Sequence, residues 1–284
     1  MKKIQLLTLT ILSLAFFNAC DKDKSTDLLL PEATTEAIQQ EKLEITDDVI
    51  RVFKNNHYNI NEVAIIDFML PDGTTEQRYQ LENDILFSAE QFESLAALDT
   101  KNAKNYHTTN LVSPRTLTII GYTGGQNALS SKERTALQYA VNNYNALNLS
   151  IRFTLTFGTS YQNKDMVVYY NPNESGAGGS AGFPSNGNPN KFIQIYGLDT
   201  YDVNVIEHVI THEMGHSVGF RHTDWFSRQS CGQNVNEGTA GVGAIPIPGT
   251  PSAYDPTSIM LACFSANEDG EFNANDIIAL NYLY

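Results

Sequence analysis

The pattern of hydrophobic and polar residues changes near residues 101–113, in the polar stretch KNAKNYHTTNLVS. Before it, the pattern predicts a helix in ITDDVIRVFKNNHYN, a hairpin in EVAIIDFMLPDGTTEQRYQL and a second helix in SAEQFESLAAL. Pro71, Asp72 and Gly73 supply the hairpin turn. These elements predict a small α+β lead segment over residues 31–110.

The residues after this boundary, 111–284, predict a mixed sheet with helices packed on it. Alternating or continuous apolar runs predict strands in RTLTIIGYT, LSIRFTLTF, DMVVYYN and KFIQIYG. A helix is predicted in SSKERTALQYAVNNYNAL, where Ser130 and Glu133 have capping-box spacing. The order of strands and helices indicates an α+β fold.

A second long helix is predicted from Val203 to Ser217. An apolar stripe at Ile206, Ile210 and Met214 marks its buried face. Asn204 and Glu207 have capping-box spacing at its start. His208 is expected on the surface of this helix.

The N-terminus has the pattern of an export signal. Two lysines precede an apolar run of about fourteen residues, which is shorter than the roughly twenty that span a bilayer. The signal, residues 1–19, ends in Ala19 before Cys20, and this ending resembles that of a bacterial lipoprotein signal. The resemblance implies that Cys20 carries lipid, that residues 20–30 are a tether, and that the protein is anchored to the outer membrane or cell surface. Plain secretion is the alternative.

The amino-acid composition excludes some classes of function and indicates a disulfide bond. The formal net charge of −14 repels phosphate backbones, so nucleic-acid binding is not expected. Besides Cys20, the chain contains only Cys231 and Cys263, and outside the cytoplasm such a pair is expected to form a disulfide bond. We expect a monomer.

The residues with the clearest chemistry lie in ITHEMGHSVGFRHTDW. His212 and His216 are four residues apart, so they share one face of the helix and can bind the same metal ion. Glu213 lies beside the first histidine, where it can act as a general base. This is the H-E-x-x-H arrangement of zinc peptidases.

The motif continues beyond the helix. Gly219 can adopt the left-handed conformation that ends a helix, and the turn brings His222 back toward the metal. The complete string is H-E-x-x-H-x-x-G-x-x-H, which is much more specific than H-E-x-x-H alone.

This motif resembles that of the metzincin clan of zinc metallopeptidases, and HEMGH is most similar to the bacterial family of dual-action HEIGH metallopeptidases. The resemblance implies a twisted mixed sheet with two long helices and a small irregular C-terminal subdomain with a terminal helix. It also implies a Met-turn in DPTSIMLAC, with Met260 beneath the metal. Ala262 stands where some branches place a tyrosine ligand, so three histidines and a water are expected.

The implied activity is that of a zinc endopeptidase with one catalytic zinc ion and a polypeptide substrate. KFIQIYG is expected to be the edge strand along which the peptide lies, beneath a rim formed by GAGGSAGFPSNGNP. Residues 238–253 are expected to form a wall of the specificity pocket. Glu213 would take the proton of water and pass it to the leaving amine.

Several weaker patterns leave alternatives open. SANEDGEFNAND half-matches a calcium loop, and calcium is not expected there. Asp84 in the lead segment is a candidate carboxylate switch that would keep the zinc inactive. Glu237 is an alternative last ligand in place of His222. The alternative to an enzyme is a surface lipoprotein with a non-catalytic zinc ion.

Overall fold

The computed structural model describes residues 42–55, 58, 60–96, 107–237, 247–251 and 254–284. Residues 42–284 belong to one compact unit. The helices are α1 (Asp47–Asn55), α2 (Ala89–Ala96), α3 (Ser131–Ala146), α4 (Val203–Val218) and α5 (Ala274–Leu283). The strands are β1 (Ala64–Met69), β2 (Thr75–Leu81), β3 (Ile85–Phe87), β4 (Thr116–Tyr122), β5 (Arg152–Gly158), β6 (Met166–Tyr170), β7 (Gly178–Ser180) and β8 (Phe192–Tyr196). The predicted α+β class is confirmed.

A five-stranded mixed sheet forms the centre of the molecule, in the order β5-β4-β6-β8-β7. Its first four strands are parallel, as their connections through helices or long loops require. The last strand, β7, runs antiparallel to β8, with Gly179 opposite Ile195.

The prediction that KFIQIYG is the edge strand is wrong. This segment forms β8, which lies between β6 and β7, and the edge is the short glycine-rich strand β7. Backbone hydrogen bonds pair β7 with β8, and its glycine residues have no side chains that could form an apolar pattern in the sequence. The predicted rim of the cleft is therefore the edge strand itself.

Helices α3 and α4 cover one face of this sheet. Side chains from both helices and from the sheet form the main core, among them Leu137, Val141, Ile206, Ile210, Met214, Leu117, Ile119, Ile193 and Ile195. The predicted apolar stripe of α4 is buried as expected. All residues of α4 from Val205 to Val218 are buried, so the opposite face of the helix is covered as well.

The N-terminal cap of α3 agrees with the sequence prediction, whereas the N-terminal cap of α4 differs from it. Ser130 and Glu133 form the predicted capping box of α3. At α4 the N-cap residue is Asp202, without a side-chain cap, so the predicted box of Asn204 and Glu207 does not form. The carboxylate of Glu207 instead accepts a hydrogen bond from Asn143 of α3 at 2.8 Å.

The lead segment packs against the second face of the central sheet. Strands β1, β2 and β3 form an antiparallel sheet of their own. Phe68 of β1 lies with Ile120, Val167 and Tyr169 in a second apolar cluster. The Tyr169 hydroxyl donates to the Met69 carbonyl at 2.7 Å. The central sheet is thus covered on both faces, while the prediction that residues 31–110 are a separate pro- or accessory segment stays a prediction.

Within the described ranges, no helix combines the length and the hydropathy needed to cross a membrane.

Candidate metal centre

Helix α4 carries two of the predicted ligands and ends where the sequence predicted. His212, Glu213 and His216 lie in its last two turns. Gly219 caps the helix in the left-handed conformation with φ 112°. A Cβ atom at this position would lie 2.9 Å from the Thr108 hydroxyl oxygen, so both conformation and space require glycine. The chain then turns and brings His222 back toward the helix.

The three predicted histidines lie together and face one another. Ligand atoms of His212, His216, His222 and Asp84 are all within 4.8 Å of each other. The Nε2 atoms of His216 and His222 are 3.2 Å apart. The three imidazoles are almost completely buried, with exposures of 7%, 0% and 0% in chain order.

Hydrogen bonds of the Nδ1 atoms, which point away from the other histidines, fix the tautomers of His212 and His216. Nδ1 of His212 contacts the Ile259 carbonyl at 2.8 Å, and Nδ1 of His216 contacts the Phe220 carbonyl at 2.8 Å. A carbonyl oxygen only accepts, so each Nδ1 carries a proton and each Nε2 presents a lone pair. Burial lowers the pKa of His212 to about 4 and that of His216 well below its ordinary value, so both rings are neutral at pH 7.

This donor set fits a zinc ion. The Nε2 lone pairs point into one small space, where they repel each other unless a positive charge lies between them. Tetrahedral zinc with bonds of 2.0–2.1 Å to nitrogen places two ligand nitrogens roughly 3.3 Å apart, close to the 3.2 Å between His216 and His222. Neutral imidazoles with a fixed outer proton are typical zinc ligands.

Glu213 lies in the wall of the same site. It is 3% exposed, and its Oε2 atom has no hydrogen-bond partner among the described residues. Burial, followed by the negative charge of Asp84, raises the pKa of Glu213 well above its ordinary value. A carboxylate in this environment is a stronger base than one in water. Gly179 of the edge strand packs directly on it, since a Cβ there would be 2.6 Å from Glu213 Cγ.

Met260 lies beneath the helix turn that carries the histidines. A Cβ atom on Gly215 would be 2.4 Å from the Met260 sulfur, so the glycine of HEMGH makes room for the methionine. The Thr223 N–H donates to the Met260 carbonyl at 2.8 Å, and Ile259 holds His212. The turn thus supports both the helix and the His222 loop.

Asp84 reaches the centre from the lead segment. Residues 82–84 are the tip of the β2–β3 hairpin, where Leu81 pairs with Ile85. Glu82 and Asn83 have positive φ values of 57° and 71°, a conformation that is unfavourable for residues other than glycine. This tight turn places the Asp84 Oδ2 atom 3.1 Å from His222 Nε2.

The hairpin tip is also bonded to the edge of the central sheet. The Leu86 N–H donates to the Ala181 carbonyl at 3.0 Å, and the Ala181 N–H donates to the Asp84 carbonyl at 3.1 Å. The lead segment therefore occupies backbone positions beside β7 as well as a position at the metal centre.

Behind His222 lies a buried charge cluster that the sequence did not predict as a group. Glu237 Oε1 is 3.0 Å from His222 Nδ1 and 3.0 Å from Arg228 Nη1. Arg221 Nη2 is 3.6 Å from Glu237 and 4.0 Å from Glu82. Glu237 therefore lies on the outer side of His222 and not among the inner nitrogens, which argues against it as an alternative ligand.

These charges affect His222 itself. Burial opposes protonation of His222, but the charges of Glu237 and Asp84 outweigh it and raise the pKa of the ring well above its usual range. The same His222 charge, together with Arg221, overcomes burial and lowers the pKa of Glu237 to about 2. Glu237 is therefore ionised at neutral pH.

The loop after His222 is closed by a disulfide bond and by Asp224. Cys231 is bonded to Cys263, three residues after Met260. The buried carboxylate of Asp224 accepts from the N–H groups of Ala262 and Ser230 at 3.0 and 2.9 Å. The His222 loop and the Met260 turn are thus held together covalently and by hydrogen bonds. The sequence contained no pattern that indicated Asp224.

Other predicted residues lie away from the centre. His208 was expected on the surface, but it is only 3% exposed because Phe264 packs on its ring. Asp276, at the end of the segment that half-matches a calcium loop, accepts from the Ser258 hydroxyl and the Ile259 N–H and takes part in the capping box of α5. Cys20 lies outside the described residues, as does most of the predicted wall, residues 238–253.

A pocket beside the Met260 turn is separate from the metal centre. The three histidines do not line it, and it is bounded by Phe220, Arg221, Thr223, Ile247, Thr250, Pro251, Asp255, Met260, Asn275, Asp276 and Ala279.

The chain has detectable similarity to known proteins. Two solved structures of myroilysin are each 16% identical to the chain. The match to the first covers 57% of this chain and 77% of the myroilysin chain, with a TM-score of 0.36. The match to the second covers 62% of this chain and 89% of the myroilysin chain, with a TM-score of 0.37. No curated protein matches the chain. The profile of the dual-action HEIGH metallo-peptidase family matches residues 79–284. This match spans more than half of the sequence and includes every residue of the metal centre, and the chain therefore belongs to the dual-action HEIGH metallopeptidase family.

Proposed function

We propose that this metallopeptidase is a zinc-dependent endopeptidase in which His212, His216 and His222 hold the ion and Glu213 is the general base. The observation that carries the proposal is the convergence of three buried imidazoles, two of them with their lone pairs fixed inward, beside a buried and unpaired carboxylate oxygen. A purely structural metal site has no need for that carboxylate.

Each residue has a distinct part in hydrolysis. When bound, zinc supplies Lewis-acid chemistry that makes water a stronger acid and a peptide carbonyl a stronger electrophile. Glu213 takes the proton of the attacking water and returns it to the leaving amine. Its burial keeps competing water away and raises its basicity.

The edge strand β7 supports cleavage within polypeptides. A peptide can extend the sheet at this edge by backbone hydrogen bonds, which do not depend on a chain end. Gly179 of the same strand touches Glu213, so a peptide bound there would pass next to the general base.

Asp84 is the proposed carboxylate switch. Its distance of 3.1 Å from His222 Nε2 supports a role as a fourth donor toward the ion. The bonds of residues 84–86 to Ala181 place the same segment beside the edge where a substrate would bind. In this arrangement the chain is latent until the hairpin tip leaves the centre.

Export and anchoring through a lipid on Cys20 remain part of the proposal, supported by the N-terminal sequence pattern. A Cys20→Ser variant should lose incorporation of labelled fatty acid and leave the membrane fraction. Unchanged labelling would exclude Cys20 as the anchor. We also propose that the protein acts as a monomer.

The central test is Glu213→Gln, which keeps the size of the side chain and removes the base. Hydrolysis of an unfolded protein should fall by at least about 10²-fold, while one zinc ion per chain is retained. Glu207→Gln is the matched control, because Glu207 lies on the same helix, is also 3% exposed and bonds to Asn143 instead. Mass spectrometry of the products shows whether internal bonds are cut.

The outcomes separate the alternatives. Hydrolysis by Glu213→Gln as fast as by the parent would contradict the role of the base. Zinc binding without hydrolysis, both in the parent and in the Asp84→Ala variant, would favour the non-catalytic lipoprotein. Activity that persists in the presence of a chelator would exclude the metal.

A further inference from the structure

His222 differs from the other two histidines in the partner of its outer nitrogen. Nδ1 of His212 and of His216 each face a neutral backbone carbonyl. Nδ1 of His222 faces both oxygens of the Glu237 carboxylate, at 3.0 and 3.1 Å. A bond from an imidazole N–H to a carboxylate is stronger than one to a carbonyl, and it increases electron density on the opposite nitrogen.

Glu237 is itself held in place. Arg228 Nη1 donates to its Oε1 atom at 3.0 Å, and the guanidinium of Arg221 lies 3.6 Å from Oε2. The side chains of Glu237 and Arg221 are completely buried, so neither can exchange its partner for water. With Glu237 as the acceptor of the Nδ1 proton, the Nε2 atom of His222 faces the other histidines of the metal centre.

The backbone around Glu237 is also fixed. Its N–H donates to the Trp225 carbonyl at 2.7 Å, which folds the loop back onto the residues that follow His222. Arg228 has a φ of 47°, a left-handed conformation that costs free energy in residues other than glycine, and its guanidinium donates to Glu237. Strain of this kind persists where the surrounding structure imposes it.

From this geometry we infer that Glu237 is a positioning residue for His222: its carboxylate, clamped by Arg228, fixes the ring with its Nε2 lone pair toward the metal and sets the affinity of the site for zinc. The inference rests on the proposed role of His222 as a ligand. Glu237 does not contact the ion. It acts through the imidazole.

The test measures zinc affinity by competition with a chromophoric chelator. Glu237→Gln keeps the shape of the side chain but removes its charge, and its amide can also turn an N–H toward Nδ1 and disfavour the required tautomer. We expect zinc binding to be weakened about ten- to hundredfold. Glu207→Gln, a buried glutamate of α4 that contacts no ligand, should bind zinc as the parent does. Thermal unfolding of the metal-free proteins shows whether Glu237→Gln is folded.

A second measurement needs no change at Glu237. In the zinc-loaded parent protein, nitrogen-15 NMR of the histidine rings should show a protonated and slowly exchanging Nδ1 on His222, which the spectrum of His222→Ala identifies. A proton on Nε2 instead would overturn the inference, even if Glu237→Gln does not fold.

The controls separate this inference from the proposed function. If His222→Ala binds zinc as tightly as the parent, His222 is not a ligand and both ideas fail. If His222→Ala binds zinc weakly but the folded Glu237→Gln variant binds it normally, His222 remains a ligand and only the positioning role is wrong.

Discussion

At the scale of single residues, the metal centre depends on glycines that leave room for the side chains packed against them. Gly215 admits the Met260 sulfur beneath the histidines, and Gly179 admits Glu213 against the edge strand. Each contact would be 2.4–2.6 Å from an added Cβ atom, well inside van der Waals separation. The position of Glu213 is therefore set by the strand beside it as well as by its own helix.

Gly179→Ala should displace Glu213 and lower the rate of hydrolysis by about 10²-fold, since catalytic groups misplaced by about 1 Å lose that much. Gly178→Ala is the matched control in the same strand, because its Cβ would meet only Tyr196, at an ordinary 3.6 Å. The measurement is kcat/KM on one peptide for both variants. Equal losses in the two would mean that the edge strand, and not Glu213, is affected.

The sequence predicted the residues of the motif, but it named Glu237 only as an alternative ligand and gave no indication of Arg228. His212, Glu213, His216 and His222 follow fixed spacings along one helix and its turn, so their proximity could be read directly. Glu237 and Arg228 are placed by a loop closed through a disulfide bond and an irregular backbone, which no periodic pattern specifies. Asp84 could only be suggested as a candidate, because its position depends on the docking of a hairpin.

At the scale of elements, α4 is buried on every side, which its sequence does not suggest. Its apolar stripe predicted one buried face, but Glu207 and His208 on another face are covered by the loop around Phe264 and Gly270. Burial, with the nearby charge of His212, lowers the pKa of His208 to about 3. The His208 ring is therefore neutral in the folded protein.

The burial of neutral His208 predicts that the folded protein loses stability at acid pH. The pKa of His208 is about 6.5 in the unfolded chain and about 3 in the folded protein. Below pH 6.5 the unfolded chain therefore binds a proton that the folded protein does not, and the free energy of unfolding decreases as the pH falls toward 3. The loss is up to about 1.4 kcal/mol per pH unit. His208→Gln cannot be protonated and should lose less stability than the parent between pH 7 and pH 5.

Urea unfolding of the metal-free proteins at both pH values measures this difference. The comparison at pH 7 corrects for any change in packing. If the parent and the variant lose the same free energy of unfolding, the ring of His208 is not buried in its neutral form.

At the scale of the whole molecule, the lead segment is part of the packing and not only a neighbour of the active site. It covers the face of the central sheet opposite to α3 and α4, where Phe68 meets Tyr169 and Phe192 at ring distances of 6.4 and 6.2 Å. The family match also begins at residue 79, inside β2. Removing the whole segment would expose this apolar face, whereas moving the hairpin tip would not.

Asp84→Ala should therefore increase hydrolysis, by about tenfold or more if the latent arrangement is the dominant state. Three histidines remain, so zinc content should stay at one ion per chain. Asp67→Ala, an exposed aspartate of β1 in the same segment, is the control and should have no effect. A slower or zinc-free Asp84→Ala variant would mean that Asp84 belongs to the working centre.

The cap of α4 is bonded to residues at the boundary between the lead segment and the rest of the chain. The Thr108 N–H donates to the carbonyl of Gly219 at 2.9 Å, the Val112 N–H donates to the Tyr284 hydroxyl at 3.1 Å, and the Ser113 N–H donates to Gly187 at 2.9 Å. The first of these bonds fastens Thr108 to the end of the helix that carries His216, and the other two fasten residues 112–113 to Tyr284 and Gly187. A chain that began after Thr108 would lack the N–H group that holds the Gly219 carbonyl, and the turn that brings His222 to the metal centre would be held less firmly.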